Sequence, residues 1–76
     1  MRFYAMTLHF FHIRSGSRVE LDGEGTDCAD LAAAKRHAVT LAGTRVDSDD
    51  TDWRIEIADE AGQYLASIDR QGVVAD

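Results

Sequence analysis

From Phe3 to Ile13, large apolar residues occupy both faces of an alternating pattern. With a strand's period of two, Phe3, Ala5, Thr7, His9, Phe11 and Ile13 share one face. Tyr4, Met6, Leu8, Phe10, His12 and Arg14 share the other. A strand apolar on both faces belongs in the middle of a sheet, with a helix over one face. What covers the second face is the functional question that the pattern raises.

The first strand is predicted over Met1 to Ile13, with residues 1–7 extended or frayed. Ser15-Gly16-Ser17 is turn chemistry. A second strand follows over Arg18 to Asp22, with Val19 and Leu21 turned inward. Gly23-Glu24-Gly25-Thr26 reads as a loop. Asp30 is placed to cap a helix over Leu31 to Ala42. Its inward stripe is Leu31, Ala34, Ala38 and Leu41, joined by Ala42, while Ala33, Arg36 and Thr40 face solvent. Gly43 is the expected stop. Trp53 to Asp59 alternates cleanly, with Trp53, Ile55 and Ile57 inward and Arg54 and Glu56 outward. A turn over Glu60 to Gln63 leads to a last strand, Tyr64 to Ile68, and residues 70–76 form a loose tail.

These elements define one α+β domain over residues 1–76, in the order β-β-α-β-β. A right-handed crossover that skips a strand sets the third strand beside the first. The predicted sheet is antiparallel, in the order 2-1-3-4, with one helix on one face. Phe11, Ile13, Val19, Leu21, Leu31, Ala34, Ala38, Leu41, Trp53, Ile55 and Ile57 are the expected core.

Charge and cysteine content narrow the classes of partner. The chain has 8 basic and 14 acidic residues, a net charge of −6. Such a field repels phosphate backbones, and no basic stripe is visible, so no nucleic-acid partner is expected. Cys28 is the only cysteine, which excludes an internal disulfide. No stretch approaches the roughly 20 apolar residues of a membrane span, and no secretory leader is recognisable. A cytoplasmic location is expected, with no membrane partner.

Four motifs invite chemistry, and none completes it. Gly23-x-Gly25 lacks the third glycine or the lysine of a phosphate-binding loop. The acidic run Asp47 to Asp52 puts Asp52 and Ala58 where a calcium loop requires glycine and glutamate. His9 and His12 lie three apart on a strand and so point to opposite faces. His37 lies near the edge of the helix stripe, but zinc wants four ligands, or three and a water. Cys28 precedes the helix, where the dipole lowers a thiol pKa, but Asp27 and Asp30 oppose that. No cofactor, metal ligand or catalytic residue is therefore assigned.

Several segments together resemble a known family. Phe10-Phe11-His12-Ile13-Arg14, Gly16, Asp22-x-Glu24-Gly25, Asp30-Leu31, Asp52-Trp53-Arg54-Ile55-Glu56-Ile57 and Asp59-Glu60-x-Gly62 stand in that order. The set resembles the small bacterial proteins grouped as domain of unknown function 6894, over roughly Leu8 to Ile68. The resemblance implies a cytoplasmic single-domain protein of soil and plant-associated bacteria, without an assigned activity. Two features depart from the family pattern. Ala29 stands where proline is frequent before the helix. Residues 1–5 precede the usual start, which makes Met6 an alternative first residue.

The outer sheet face is the candidate interaction face. Leu8, Phe10 and His12 of the first strand should share it with Arg54 and Glu56 of the third. Leu8 and Phe10 would be wet there unless something covers them. The leading expectation is a non-enzymatic protein–protein interaction module that self-associates as a homodimer, through this face or an edge strand. The alternative is a small-ligand site or enzyme using His12, Glu56 and Arg54, residue types suited to acid–base work.

Overall fold

The computed structural model describes residues 6–46 and 52–74. The order is β1 (Thr7–Ser15), β2 (Arg18–Glu20), β3 (Thr26–Cys28), α1 (Leu31–Arg45), β4 (Trp53–Ala58), β5 (Tyr64–Asp69) and β6 (Gly72–Val74). The strands form one antiparallel sheet, β2-β1-β4-β5-β6, with β3 also paired to β1. The predicted order 2-1-3-4 is the β2-β1-β4-β5 part of this sheet. Most of the acidic run, residues 47–51, lies outside the described residues.

Two short strands are additions. Thr26 to Cys28, a loop end and helix approach by sequence, pairs with Thr7 to His9. Gly72 to Val74, a loose tail by sequence, pairs with Ser67 to Asp69. Three-residue strands carry too little periodicity to be seen in a sequence. Each exists because a longer strand offers it unpaired backbone groups.

The helix begins as expected. The Asp30 side chain accepts a hydrogen bond from the Ala33 N–H at 2.8 Å. It does not stop at Gly43, however, but continues to Arg45, where the Val46 N–H bonds back to Ala42 O. Gly43 is exposed and its Cβ position is open space. Glycine inside a helix costs only about 1 kcal/mol relative to alanine. The extra turn places Arg45 at the negative end of the helix dipole, paired with Glu20.

Helix α1 lies over β4, β5 and β3. Ala34 and Ala38 are fully buried against Ile55, Ile57, Ala66 and Ile68, with Phe11, Ile13 and Cys28 completing the core. Alanine on the contact stripe brings the helix low onto the sheet. That close approach explains Ala33, which helical spacing turns to solvent but which packs half-buried against the core.

Val19 and Leu21 correct the core assignment. They are 50% and 69% exposed. Gly16, at φ +62°, makes a two-residue turn that pairs Ser15 with Arg18. Arg14 then falls opposite Val19, and Ile13 opposite Glu20. Val19 therefore shares the face of Arg14, away from the helix. Counting back from the turn, rather than following alternation alone, gives the right parity.

Substitutions should separate core from surface. Ala38→Leu should overpack the helix–sheet contact and cost roughly 1–3 kcal/mol. Leu21→Ser should stay within about 0.5 kcal/mol of the parent, as surface changes do. Urea denaturation midpoints for the two variants would check the assignment.

Candidate functional site

Strand register sets the outer face out in three rows. Phe10 is opposite Ala58, which is opposite Tyr64; His12 is opposite Glu56, then Ser67; Arg14 is opposite Arg54, then Asp69. Leu8 adds an apolar position beyond Phe10, with Asp27 across from it on β3. Leu8, Phe10, His12, Arg54 and Glu56 thus stand together on the face that the sequence assigned to them.

Tyr64 and Ser67 join this face through a β-bulge. They are three residues apart, which in a regular strand means opposite faces. The register shifts between Ile57 and Ala58, leaving Leu65 as the extra residue. Tyr64 then returns to the outer face, where its hydroxyl donates to Ser67 Oγ at 3.0 Å. Ser67 and Ala58 are buried there, at 2% and 6% exposure, yet Tyr64 is 47% exposed. Period-two counting missed Tyr64 because a bulge leaves no mark in that pattern.

Leu8 and Phe10 are half-buried rather than fully wet. The loop from Leu21 to Gly25 provides part of the cover. A Cβ on Gly25 would lie 2.9 Å from Leu8 Cδ1, and φ there is +78°. Glycine is therefore required for the backbone to reach over Leu8.

Asp22 holds this loop in place. β2 pairs with residues 13–15 of β1 and β3 with residues 7–9, which leaves a gap between them. The Phe11 N–H in that gap donates to Asp22 Oδ2 at 3.1 Å. The Glu24 and Gly25 N–H groups both donate to Asp22 Oδ1 at 3.0 Å. The Asp22 N–H in turn donates to His12 Nδ1 at 3.1 Å. His12 is thus engaged by the loop and not by Arg54 or Glu56. Burial by itself raises the Asp22 pKa, but the Gly25, Glu24 and Phe11 N–H donors and the nearby His12 outweigh it and hold the carboxyl below its usual value. Asp-x-x-Gly is a turn signature, so sequence could have flagged this residue.

Glu56 is the electrostatic centre of the face. Arg14 Nε donates to Glu56 Oε1 at 3.0 Å, and Arg54 lies 3.8 Å from Oε2. Arg14 and Arg54 are directly opposite in the ladder, a repulsive placement that the shared carboxylate offsets. A shallow depression of about 290 Å³ beside them is lined by Arg14, Gly16, Asp52, Trp53, Arg54 and Glu56. His12 does not line it, so the three residues of the ligand reading do not converge on one cavity.

The remaining histidines and the cysteine face the helix side. His9 is 4% exposed and donates from Nδ1 to Thr7 O at 2.7 Å. His37 packs edge-on against Phe11, ring centroids 4.9 Å apart. Burial, followed by the charges of Asp27 and Asp30, raises the Cys28 pKa, which keeps the thiol protonated. Among the described residues, no three His, Cys, Asp or Glu side chains form a metal-binding group. No helix among them is long and apolar enough to cross a membrane.

Asp22 should make stability depend on acid pH. Its folded pKa lies below its unfolded value, so its stabilisation is complete above about pH 4–5 and is lost as pH falls through the folded pKa. Asp22→Asn should cost about 1–3 kcal/mol at pH 7, as loss of charge-assisted backbone bonds does. The gap between parent and variant should narrow as pH falls below the ordinary aspartate range and through the lowered folded pKa. Denaturation midpoints measured across pH 2–7 would test both statements.

No curated protein and no solved structure matches the chain. The family model described as Domain of unknown function (DUF6894) matches residues 8–70. That span runs from Leu8 in β1 to Arg70, at the start of the turn before β6, and takes in Asp22, both bonding partners of Glu56 and all three rows of the outer face. The chain belongs to this family of small domains of unknown function.

Proposed function

We propose that the protein is a non-enzymatic interaction module of the bacterial cytoplasm that self-associates through the outer sheet face. One observation carries the reading: Phe10 and Tyr64 stand in one row on the face opposite the helix, half-buried and exposed respectively. Aromatic groups at a partly wet surface are what interfaces select. Charge supports it as well. The chain carries −6 overall, yet across β1, β4 and β5 the outer face sets Arg14 and Arg54 against Glu56 and Asp69. Two such faces can approach without the repulsion that the whole molecules feel. The edges are less suited to pairing, because β2, β3 and β6 have three residues each.

The ligand or enzyme reading has weaker support. Arg54 and Glu56 are close, but His12 Nδ1 is taken by the Asp22 amide and Glu56 by two arginines.

Sedimentation over a range of concentrations tests the proposal. The parent should dimerise, and Phe10→Ser should weaken the dimer without unfolding the monomer. Phe10 is already half-covered, so association removes about 1 kcal/mol worth of apolar surface per copy. A symmetric dimer loses this twice, and its dissociation constant should rise about thirtyfold. A parent that stays monomeric at high concentration, or a variant that dimerises like the parent, would overturn the reading.

A further inference from the structure

On the helix side, α1 packs mainly on β4, β5 and β3. Beside it, over β1, a cleft of about 170 Å³ is left between the helix and the chain from Glu20 to Thr26. Phe11, Ile13 and Leu41 give it an apolar floor. The Arg45–Glu20 ion pair bridges α1 to β2 at one end. We propose that this cleft binds a small primary amine whose apolar body is about the size of one six-membered ring.

Volume sets the size of the body. A cavity of about 150 Å³ admits a benzene-sized molecule, whereas drug-sized ligands take about 300 Å³ or more. The cleft therefore holds one ring or a short branched chain, resting on Phe11 and Leu41.

The walls set the charge. Asp22, Glu24 and His37 stand around the floor. The Asp22 carboxylate accepts from the Phe11, Glu24 and Gly25 amides, which leaves one of its roughly four lone-pair sites open. The Glu24 carboxylate and the His37 ring nitrogens have no hydrogen-bond partner among the described residues. Glu20 is matched by Arg45, but the charges of Asp22 and Glu24 have no cation in the cleft to offset them. An anion would be repelled there, and a neutral guest would leave both carboxylates without a counter-charge. A primary ammonium has three N–H donors and no acceptor. It offers one donor each to Asp22, Glu24 and an unprotonated His37 nitrogen. A bare metal ion fits less well, because these groups do not converge into a metal-binding set. An ammonium reaches its acceptors at about 2.9 Å, farther than the roughly 2.0–2.6 Å of a metal bond, and so tolerates wider spacing.

An NMR titration of the whole chain at about pH 7.5 and constant ionic strength tests the site. An alkyl ammonium is charged there and most ordinary imidazole is not. Cyclohexylamine should shift the signals of Asp22 to Thr26, His37 and Leu41, and saturate in the millimolar range that suits so small a ligand. Cyclohexanol and cyclohexanecarboxylate keep the ring without the positive charge, and each should bind at least about tenfold more weakly. Ammonium chloride keeps the charge without the ring and should also be at least about tenfold weaker. Glu24→Gln removes an exposed carboxylate that holds nothing in the fold, and should weaken cyclohexylamine binding about threefold. Glu60→Gln removes an exposed charge in the β4–β5 turn, away from the cleft, and should leave binding unchanged. That pattern supports the site. No saturable shift, shifts spread over the surface, or equal binding of the alcohol, the carboxylate or ammonium overturns it. Equal weakening by Glu24→Gln and Glu60→Gln also overturns it, since the amine would then be following net charge alone. The cleft is on the helix side, so each outcome is independent of whether the outer face self-associates.

Discussion

β1 runs for nine residues, but the strands on its outer edge run for three each. Between them the Phe11 N–H would be left in a half-buried gap, and an unpaired buried amide costs about 1–3 kcal/mol. The Asp22 carboxylate fills that place. The same carboxylate binds the Glu24 and Gly25 amides, which bends the chain back toward β1 and lets β3 pair with it. One side chain thus completes the sheet edge, starts β3 and fixes the approach to the helix. The Asp22 amide reaches His12 on the outer face, so the edge of the sheet and the candidate surface share one hydrogen-bonded unit.

The two faces of the sheet are built on different principles. On the helix side, Ile55, Ile57 and Ile68 meet an alanine stripe, and the contact is dry and close. On the outer side no second helix lies among the described residues. Burial of Ala58 and Ser67 there comes from their larger neighbours and not from a second layer. A domain of this size has little apolar area to spare. It nevertheless places Phe10 and Tyr64 on the side without a layer, and that arrangement motivates the reading as an interface. The match to the family over residues 8–70 covers all three rows without supplying an activity.

Charge is organised locally even though the sum is strongly acidic. Arg14 and Arg54, separated by 39 intervening residues in the chain, become direct neighbours in the ladder with Glu56 between them. No inspection of runs along the sequence shows this, since the two lie in separate segments. Only antiparallel pairing of β1 with β4 gathers them.

The sequence by itself determined the class and the central layout. Alternation in β1 and β4, the alanine stripe and the Asp30 cap gave an antiparallel sheet with one helix, β1 inside, and Leu8, Phe10, His12, Arg54 and Glu56 on one face. These features are local or follow from a period, and local chemistry is what a sequence records directly. Tertiary structure decided the rest. The Gly16 turn set the parity that exposes Val19 and Leu21. A bulge moved Tyr64 onto the face of Ser67. β3 and β6 formed on edges that other strands made available. Asp22 gained its role from a gap that exists only once β2 and β3 have paired. Each of these depends on which backbone groups are left unsatisfied after the long elements meet, and that is a property of the assembled chain.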